Sequence, residues 1–577
     1  MRFQRLLTLF AFVAFPVVSN FASPQTDQWR AEHRIIDLHQ HLDYDRDRLA
    51  RAIRIMDASG IGIGVNLSGG VTTSTDGKPS PFEQNKALAD KLYPGRFLHY
   101  MNLDYTRWNE PDFSENAAKQ IEEGHRLGAA GFKQDKSLGL YLRDKQGKLI
   151  KIDDPKLDLV WKKCGELNMP VSIHVADPKA FWEPYNDKNE RWKELRDHRA
   201  WWFGDPKIYP KREELLEALN RVIERNPKTT FVAVHFANNA EDLDWVDQQL
   251  DRFPNMNADL AARIPEIGRQ DPEKVRKIFI KHAHRIFFAT DFQVHDTMIL
   301  GSSGSGPAPT EDDANIFYAK HWRWMETYDR NFAHMTPIQG DWTISGISLP
   351  DDVLRKIYFD NATKLLARSM PFPTMHAARL DADFALDGKL TNPAWKRAQP
   401  MRLEYDTATY TAMPAVSTPV RALWTDQWLY LGYDCPINEI AVFEPPYKDK
   451  ERLGLWDKDV VEAFIAPDPA RLDHYTEYEV APTGEKLDLI LAAGKSDFDW
   501  SSGFEAASVV DKANHRWTVE MRIPMKAFKE NPPQPGELWR FNLYRIDRDH
   551  KAFLALNPTL RGSYHTPARF ANLQFDK

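Results

Sequence analysis

"IIDLHQHL", residues 35–42, is an apolar run that closes on two histidines two positions apart. Side chains at i and i+2 of a strand share a face. If the run is a buried strand, His39 and His41 therefore project together. Taken alone, such a pair suits two ordinary strand residues as well as two metal ligands. The rest of the chain decides between these readings.

Seven further runs resemble the first: 61–68, 97–103, 129–134, 170–176, 230–237, 256–262 and 286–292. Amphipathic stretches such as "DRLARAIRIMDASG" and "REELLEALNRVIERNP" lie between them, with apolar residues three and four apart and Asp or Pro at their starts. A last one, "PDDVLRKIYFDNATKLLA", occupies 350–367. Repeated strand-then-helix units imply a parallel sheet, and eight of them over 31–370 predict an α/β fold, a (β/α)8 TIM barrel. A doubly wound open sheet is the competing topology. Two insertions, 177–209 and 293–349, leave strand ends where barrel active sites sit. The first is rich in aromatics, including Phe181, Trp182, Trp201, Trp202 and Phe203, and reads as a lid or as packing on the barrel; the second contains the flexible-looking "GSSGSGPAPT".

After about residue 370 the alternation gives way to short strands of period two, broken by Gly, Pro and Asp. This predicts an all-β sandwich over 378–577. The 577 residues are 42% hydrophobic and 28% charged with a formal net charge of −7, a balance that recruits neither nucleic acid nor an anionic membrane surface. Arg2 and Arg5, the apolar stretch 6–18 and small residues at Ala22 and Ser23 predict a secretory signal peptide over 1–22, hence an exported protein, periplasmic or extracellular, with no membrane attachment after cleavage. An uncleaved anchor is the alternative. The two cysteines, Cys164 and Cys435, fall in different domains, which argues against a disulfide framework and excludes a multi-cysteine zinc site.

Polar residues able to bind a metal close other runs: His174 in "PVSIHVAD", His235 in "FVAVHFAN" and Asp291 in "FFATDFQ". Buried ionisable groups without partners are costly. Five of them at equivalent strand ends point to one shared cation, and imidazoles with a carboxylate suit zinc and other first-row metals.

"DLHQHL", "IHVAD", "VHFAN" and "ATDF" resemble the amidohydrolase superfamily, in particular the amidohydrolase-related branch that includes aminocarboxymuconate-semialdehyde decarboxylase. The resemblance implies a single divalent metal, zinc being expected, held by His39, His41, His174 and Asp291, with His235 as acid/base residue and Asp291 also catalytic. Lys133 ends the fourth run; it reads as an anchor for a substrate carboxylate or a plain salt bridge, or, if carboxylated as in binuclear members, as a bridge between two metals. A second H-x-H, His282 and His284, lies where a helix ends, with the two side chains about 200° apart, and reads as a solvated helix end. His295, near the end of the eighth run, is either a pocket residue or an ordinary loop residue, and Asn238 is either a substrate contact or a turn residue.

"FALDGKLTNPAWKRA", "WDKDVVEAFIAP" and "WTVEMRIPMKAF" resemble family 9 carbohydrate-binding modules, which implies sugar stacking on aromatics, with Trp424, Trp428, Trp456, Trp500 and Trp539 available and most of them expected in the core. The expected function is an exported metal-dependent hydrolase of an ester, lactone or amide bond on a small-molecule or carbohydrate-linked substrate. The alternatives are a decarboxylase or lyase of the same fold, and a glycan-binding protein with an inactive barrel.

Overall fold

The computed structural model describes residues 23–447 and 449–577. The expected signal peptide, 1–22, lies outside the described residues. The chain forms two compact units that part between Ala362 and Thr363.

In the first unit, β1 (Ile35–Leu42), β2 (Ile61–Asn66), β3 (Phe97–Met101), β4 (Gly131–Gln134), β5 (Val171–Ile173), β6 (Phe231–Ala233), β7 (Met256–Asp259) and β8 (Ile286–Phe287) pair in parallel and in sequence order. The last apolar run does not stay one strand. It breaks at Asp291, whose φ of 60 lies in the left-handed region, and resumes as β9 (Phe292–Val294), which pairs in parallel with β1. Leu38 N donates to Phe288 O (3.1 Å) and Asp291 N to His39 O (2.9 Å), so the eighth run joins the first and the sheet closes. Closure sets aside the open-sheet topology. A further strand, β10 (Met298–Leu300), folds back antiparallel on β9.

The helices follow from stop and start signals. Arg46–Ser59 begins where the Asp45 side chain accepts from Asp47 N and Arg48 N, buries Leu49, Ala52, Ile55 and Met56 along one stripe, and ends at Gly60. Gly60 has φ 76, and a Cβ there would lie 2.6 Å from Arg30 Cβ, so only glycine fits this turn. The longest helix without a counterpart in the sequence reading is Glu311–Glu326, inside the insertion after β9; the shorter Pro24–Ala31 is another. The expected closing helix is instead three short pieces, Asp351–Arg355, a π-helical turn at Lys356–Asp360 and Asn361–Leu365.

The insertion after β5 has a small core of its own. Phe203 and Phe181 are buried, Trp182 packs on Phe203 at 4.9 Å, and Trp201 stacks on His198 at 4.0 Å. The serine-glycine stretch read as flexible is hydrogen-bonded to it: Ser303 Oγ to His198 Nε2 (3.0 Å), Ser305 N to Asp197 Oδ2 (2.8 Å), and Ser302 Oγ to Glu194.

The second unit is an antiparallel sandwich. One sheet runs Lys486–Ala492, His474–Val480, Val460–Ala466, Leu538–Asp547, Ala571–Phe575; the other runs Thr418–Trp424, Trp428–Pro436, Arg516–Pro524, Glu505–Asp511. Thr374–Arg379 belongs to both, pairing in parallel with Ala571–Phe575 at one end and with Thr418–Trp424 at the other. Trp424 and Trp539 are core residues, Trp428 and Trp500 are half-buried, and Trp456 is exposed. Cys164 and Cys435 are buried free thiols. Among the described residues no helix is long and apolar enough to cross a membrane.

Candidate active site

The site is built at the carboxyl ends of the barrel strands. A bulge in β1 shapes its first part: Asp37 pairs with Gly64 but Gln40 with Asn66, one residue more on β1 than on β2. Strict alternation would put Asp37 on the histidine face. The bulge re-aims it, and Asp37 joins Gln40 Nε2 (3.0 Å), Thr290 Oγ1 (2.6 Å) and Tyr318 OH (2.9 Å) instead. Its other oxygen accepts from His39 N (3.3 Å) and Thr290 N (3.1 Å), tying β1 to the residue before Asp291.

His39 and His41 do share a face. Their Nε2 atoms are 3.2 Å apart, and each lies 3.7 Å from Asp291 Oδ1. His39 Nδ1 is 2.9 Å from Asp259 Oδ2, and a carboxylate oxygen only accepts, so the proton of the neutral ring sits on Nδ1 and Nε2 keeps its lone pair. His41 Nδ1 meets Ser68 Oγ at 2.6 Å. Burial holds both imidazoles well below the usual histidine pKa; Lys133 then acts on both, and on His41 the neighbouring His39 acts first. Burial also pushes Asp291 up to about 7, against the pull of Lys133 and Arg263. Lone pairs and a carboxylate oxygen converging in this way repel unless a cation sits among them. His39, His41 and Asp291 thus form a candidate metal site, their ligand atoms all within 4.8 Å of one another. A second close group, His39, His235 and Asp259, reuses the His39 ring through the nitrogen already bonded to Asp259, and is a hydrogen-bonded support rather than a separate site.

His235 lies just past β6, at the head of a left-handed turn in which His235, Phe236, Ala237 and Asn238 have φ of 56, 53, 60 and 57. Its N–H donates to Asp259 Oδ1 (2.7 Å) and its Nδ1 to Ala261 O (2.7 Å), which leaves Nε2 free. Burial, then His174 and Arg263, hold its pKa well below the ordinary value. Its ring centroid is 5.1 Å from that of His39 and 4.3 Å from that of His174. His174 is thus brought into the constellation but not into the tight trio. Its Nε2 lies 3.3 Å from Asp177 Oδ1 without hydrogen-bond alignment, and burial lowers its pKa to about 4. Lys133 on β4 is buried, and its Nζ has no hydrogen-bond partner. Burial lowers its pKa, opposed by Asp259 and Asp291.

The remaining sequence candidates separate. Asn238 is a turn residue: its Oδ1 accepts from Val175 N (2.8 Å) and Ala176 N (3.3 Å), and its Nδ2 donates to Ile173 O (3.2 Å), clamping the flanks of His174. His295 pairs with Asp43 Oδ1 at 2.8 Å and stays outside the trio. His284 is exposed as expected, but His282 is not solvated: it is buried and bonded to Asp247 Oδ1 at 2.7 Å, because the helix end turns it onto the neighbouring helix. That acidic pair, Asp247 and Asp251, is already met by Lys281 at 2.7 and 2.6 Å.

Residue types at strand ends did not single out Ser68, Asp177, Asp259 or Arg263. Asp259 satisfies the same criterion as His174, a polar side chain closing an apolar run, and that was its signal. The other three sit in loops, where no periodicity marks them.

Residues 83–368 match the amidohydrolase family model. The first unit is an amidohydrolase domain. Residues 386–575 match the model described as carbohydrate family 9 binding domain-like, so the second unit carries such a domain. An extracellular protein of Arthroderma benhamiae is 22% identical over 191 residues, 30% of this chain and 85% of the relative. Among solved structures, a dihydroxybenzoic acid decarboxylase from Polaromonas with bound manganese and 2-nitroresorcinol is 15% identical, covering 57% of this chain and 96% of that one with a TM-score of 0.33. A family 9 carbohydrate-binding module from Caldicellulosiruptor kristjanssonii in complex with glucose is 15% identical, covering 35% of this chain and 95% of that one with a TM-score of 0.27.

Proposed function

We propose that the amidohydrolase domain is a metal-dependent hydrolase acting on an ester, lactone or amide bond. The observation that carries this reading is the meeting of His39 Nε2, His41 Nε2 and Asp291 Oδ1 beside a buried lysine without a partner. His39, His41 and Asp291 would hold a divalent ion, with His174 completing the set; zinc is the ion proposed, from the imidazole-rich donors. Such an ion supplies Lewis acidity, polarising an acyl oxygen and acidifying water.

The chain's own groups do the rest. His235 is neutral with Nε2 free, so it can take a proton from the attacking water and return it to the leaving group. Asp291 turns Oδ1 to the imidazoles, where it also accepts from Gln293 Nε2 (3.1 Å), and its second oxygen remains available as a proton acceptor. Lys133 Nζ, without a protein partner, is proposed to bind a substrate carboxylate. The second unit is proposed to bind carbohydrate and so to hold the enzyme on carbohydrate-linked material. Export is proposed on the order of basic, apolar and small residues at 1–22, and the extracellular naming of the curated relative supports it.

The test is elemental analysis of the purified protein, followed by turnover of ester, lactone and amide panels alongside carbon dioxide release from aromatic acids. Asp291→Ala should remove bound metal and turnover while the barrel stays folded. Carbon dioxide release without hydrolysis would replace the hydrolase with a decarboxylase, and absence of bound metal would reject both.

A further inference from the structure

Arg263 follows β7 in the loop whose Ala261 carbonyl accepts from His235. A guanidinium carries a fixed fork of donors and keeps its charge in any protein setting. Here it is buried, 7% exposed, yet poorly satisfied: Nη1 donates to the adjoining Ala262 O (3.0 Å), and Nη2 stands 3.5 Å from Asp177 Oδ1, long for a hydrogen bond. Among the described residues it has no other hydrogen bond or ion pair, although the charges of Glu241 and Glu194 also act on it, against that of Arg191.

Asp177 does not neutralise Arg263 alone, because it is shared. Lys136 Nζ also bonds it, and His174 Nε2 lies 3.3 Å away. These contacts place Arg263 inside the constellation: Asp177 touches His174, whose ring is 4.3 Å from His235, itself 5.1 Å from His39. The fields of Arg263 and Lys133 both reach His39, His235 and Asp291. The loop is fixed, since Gln339 Nε2 donates to Ala262 O at 3.0 Å. A buried cation held with spare donors beside a reaction centre is costly unless something else uses them.

We infer that Arg263 is a specificity-determining residue that takes an anionic group of the substrate, a carboxylate, on its free donors. The partnerless Lys133 Nζ adds to the same positive field, so the domain selects acyl substrates bearing an acid over neutral ones. The inference rests on the hydrolase reading only for the word substrate; the anion site itself needs no turnover.

The experiment uses the full-length protein, as purified and after chelator treatment, at physiological ionic strength. Calorimetry compares glutarate with glutaramide, of similar size but without charge. Wild type should bind glutarate and not glutaramide in both metal states. Arg263→Gln should weaken glutarate binding by roughly tenfold or more, and Arg263→Lys, which keeps charge but loses the fork, by less. Equal binding of the two probes by wild type overturns the inference, as does unchanged glutarate binding by folded Arg263→Gln. Since wild type alone answers the first comparison, a variant that fails to fold leaves the inference exposed to refutation. Failure of the hydrolase reading would show instead as absent ester and amide turnover, whatever the calorimetry gives.

Discussion

Asp259→Asn is the most informative single change, because one carboxylate serves three donors. Oδ1 accepts from His235 N (2.7 Å) and Ala261 N (3.2 Å), while Oδ2 accepts from His39 Nδ1 (2.9 Å). An asparagine has one oxygen. Kept on the two backbone donors, it turns its NH2 group to His39 Nδ1, which must then accept. The ring proton moves to Nε2, 3.2 Å from His41 Nε2, and a metal-binding lone pair is lost. Loss of such a supporting contact lowers metal affinity by about 10- to 100-fold, or about 1.4 to 2.7 kcal/mol. If the amide flips, the oxygen stays on His39 and the two buried backbone donors face NH2, at a cost of about 1–3 kcal/mol for each unsatisfied group. The assay is competition for zinc between stripped protein and a chromophoric chelator, paired with the thermal midpoint of the metal-free form. One of the two must fall. Both unchanged would refute the assignment of Asp259 as the residue that sets the His39 tautomer.

Three further outcomes follow from the same contacts. Ser68→Ala frees His41 Nδ1, and zinc competition should show a smaller loss, up to roughly tenfold. Asn238→Ala strips Val175 N and Ala176 N of their acceptor and puts alanine at φ 57; denaturant unfolding should show a loss of about 2–4 kcal/mol. Buried His321, bonded to Phe317 O at 2.8 Å, has its pKa lowered by burial to about 4. Its folded pKa lies below the unfolded value near 6.5, so the unfolded chain binds the proton first: stability is complete above about 6.5 and falls toward about pH 4, by about 3 kcal/mol in all. His321→Gln should flatten that acid limb in denaturation curves, and an unchanged limb would show that His321 does not govern it.

Much of the barrel was legible because each strand is a short apolar run buried on both sides and each following helix has one apolar stripe. Glu311–Glu326 was not: its buried residues Ala314, Phe317, Tyr318, His321, Trp322, Trp324 and Met325 do share one face, but that face includes a histidine while Ile316 is exposed on the opposite one, which blurs the apolar contrast. The split of the eighth run was hidden for another reason: the break is a φ of 60 at Asp291, a residue type that tolerates the left-handed region without announcing it. In the site, period-two alternation placed His39 and His41 together, but it would have placed Asp37 with them had β1 carried no bulge. Residue type found the candidate ligands. It could not find Arg263 or Asp177, whose place depends on loop paths.

Those loop paths share one device. Just beyond β6, β7 and β8 the chain turns through positive φ on residues other than glycine: His235 to Asn238, Ala262 at 55 and Asp291 at 60. Each such conformation costs of order 1–3 kcal/mol and persists only where its surroundings over-determine it. Here side chains from other strands do so. Asp259 pins the His235 backbone, Asn238 pins the flanks of His174, and Asp37 pins Thr290 beside Asp291 while also accepting from His39 N. Asp259 therefore couples the first, sixth and seventh strands, and Asp37 the first and eighth, with His39 bonded to both carboxylates. A convergent imidazole–carboxylate set on loops this bent keeps its shape because buried acids hold the backbone, so the residues that fix the geometry are as much a part of the site as those that would touch the ion.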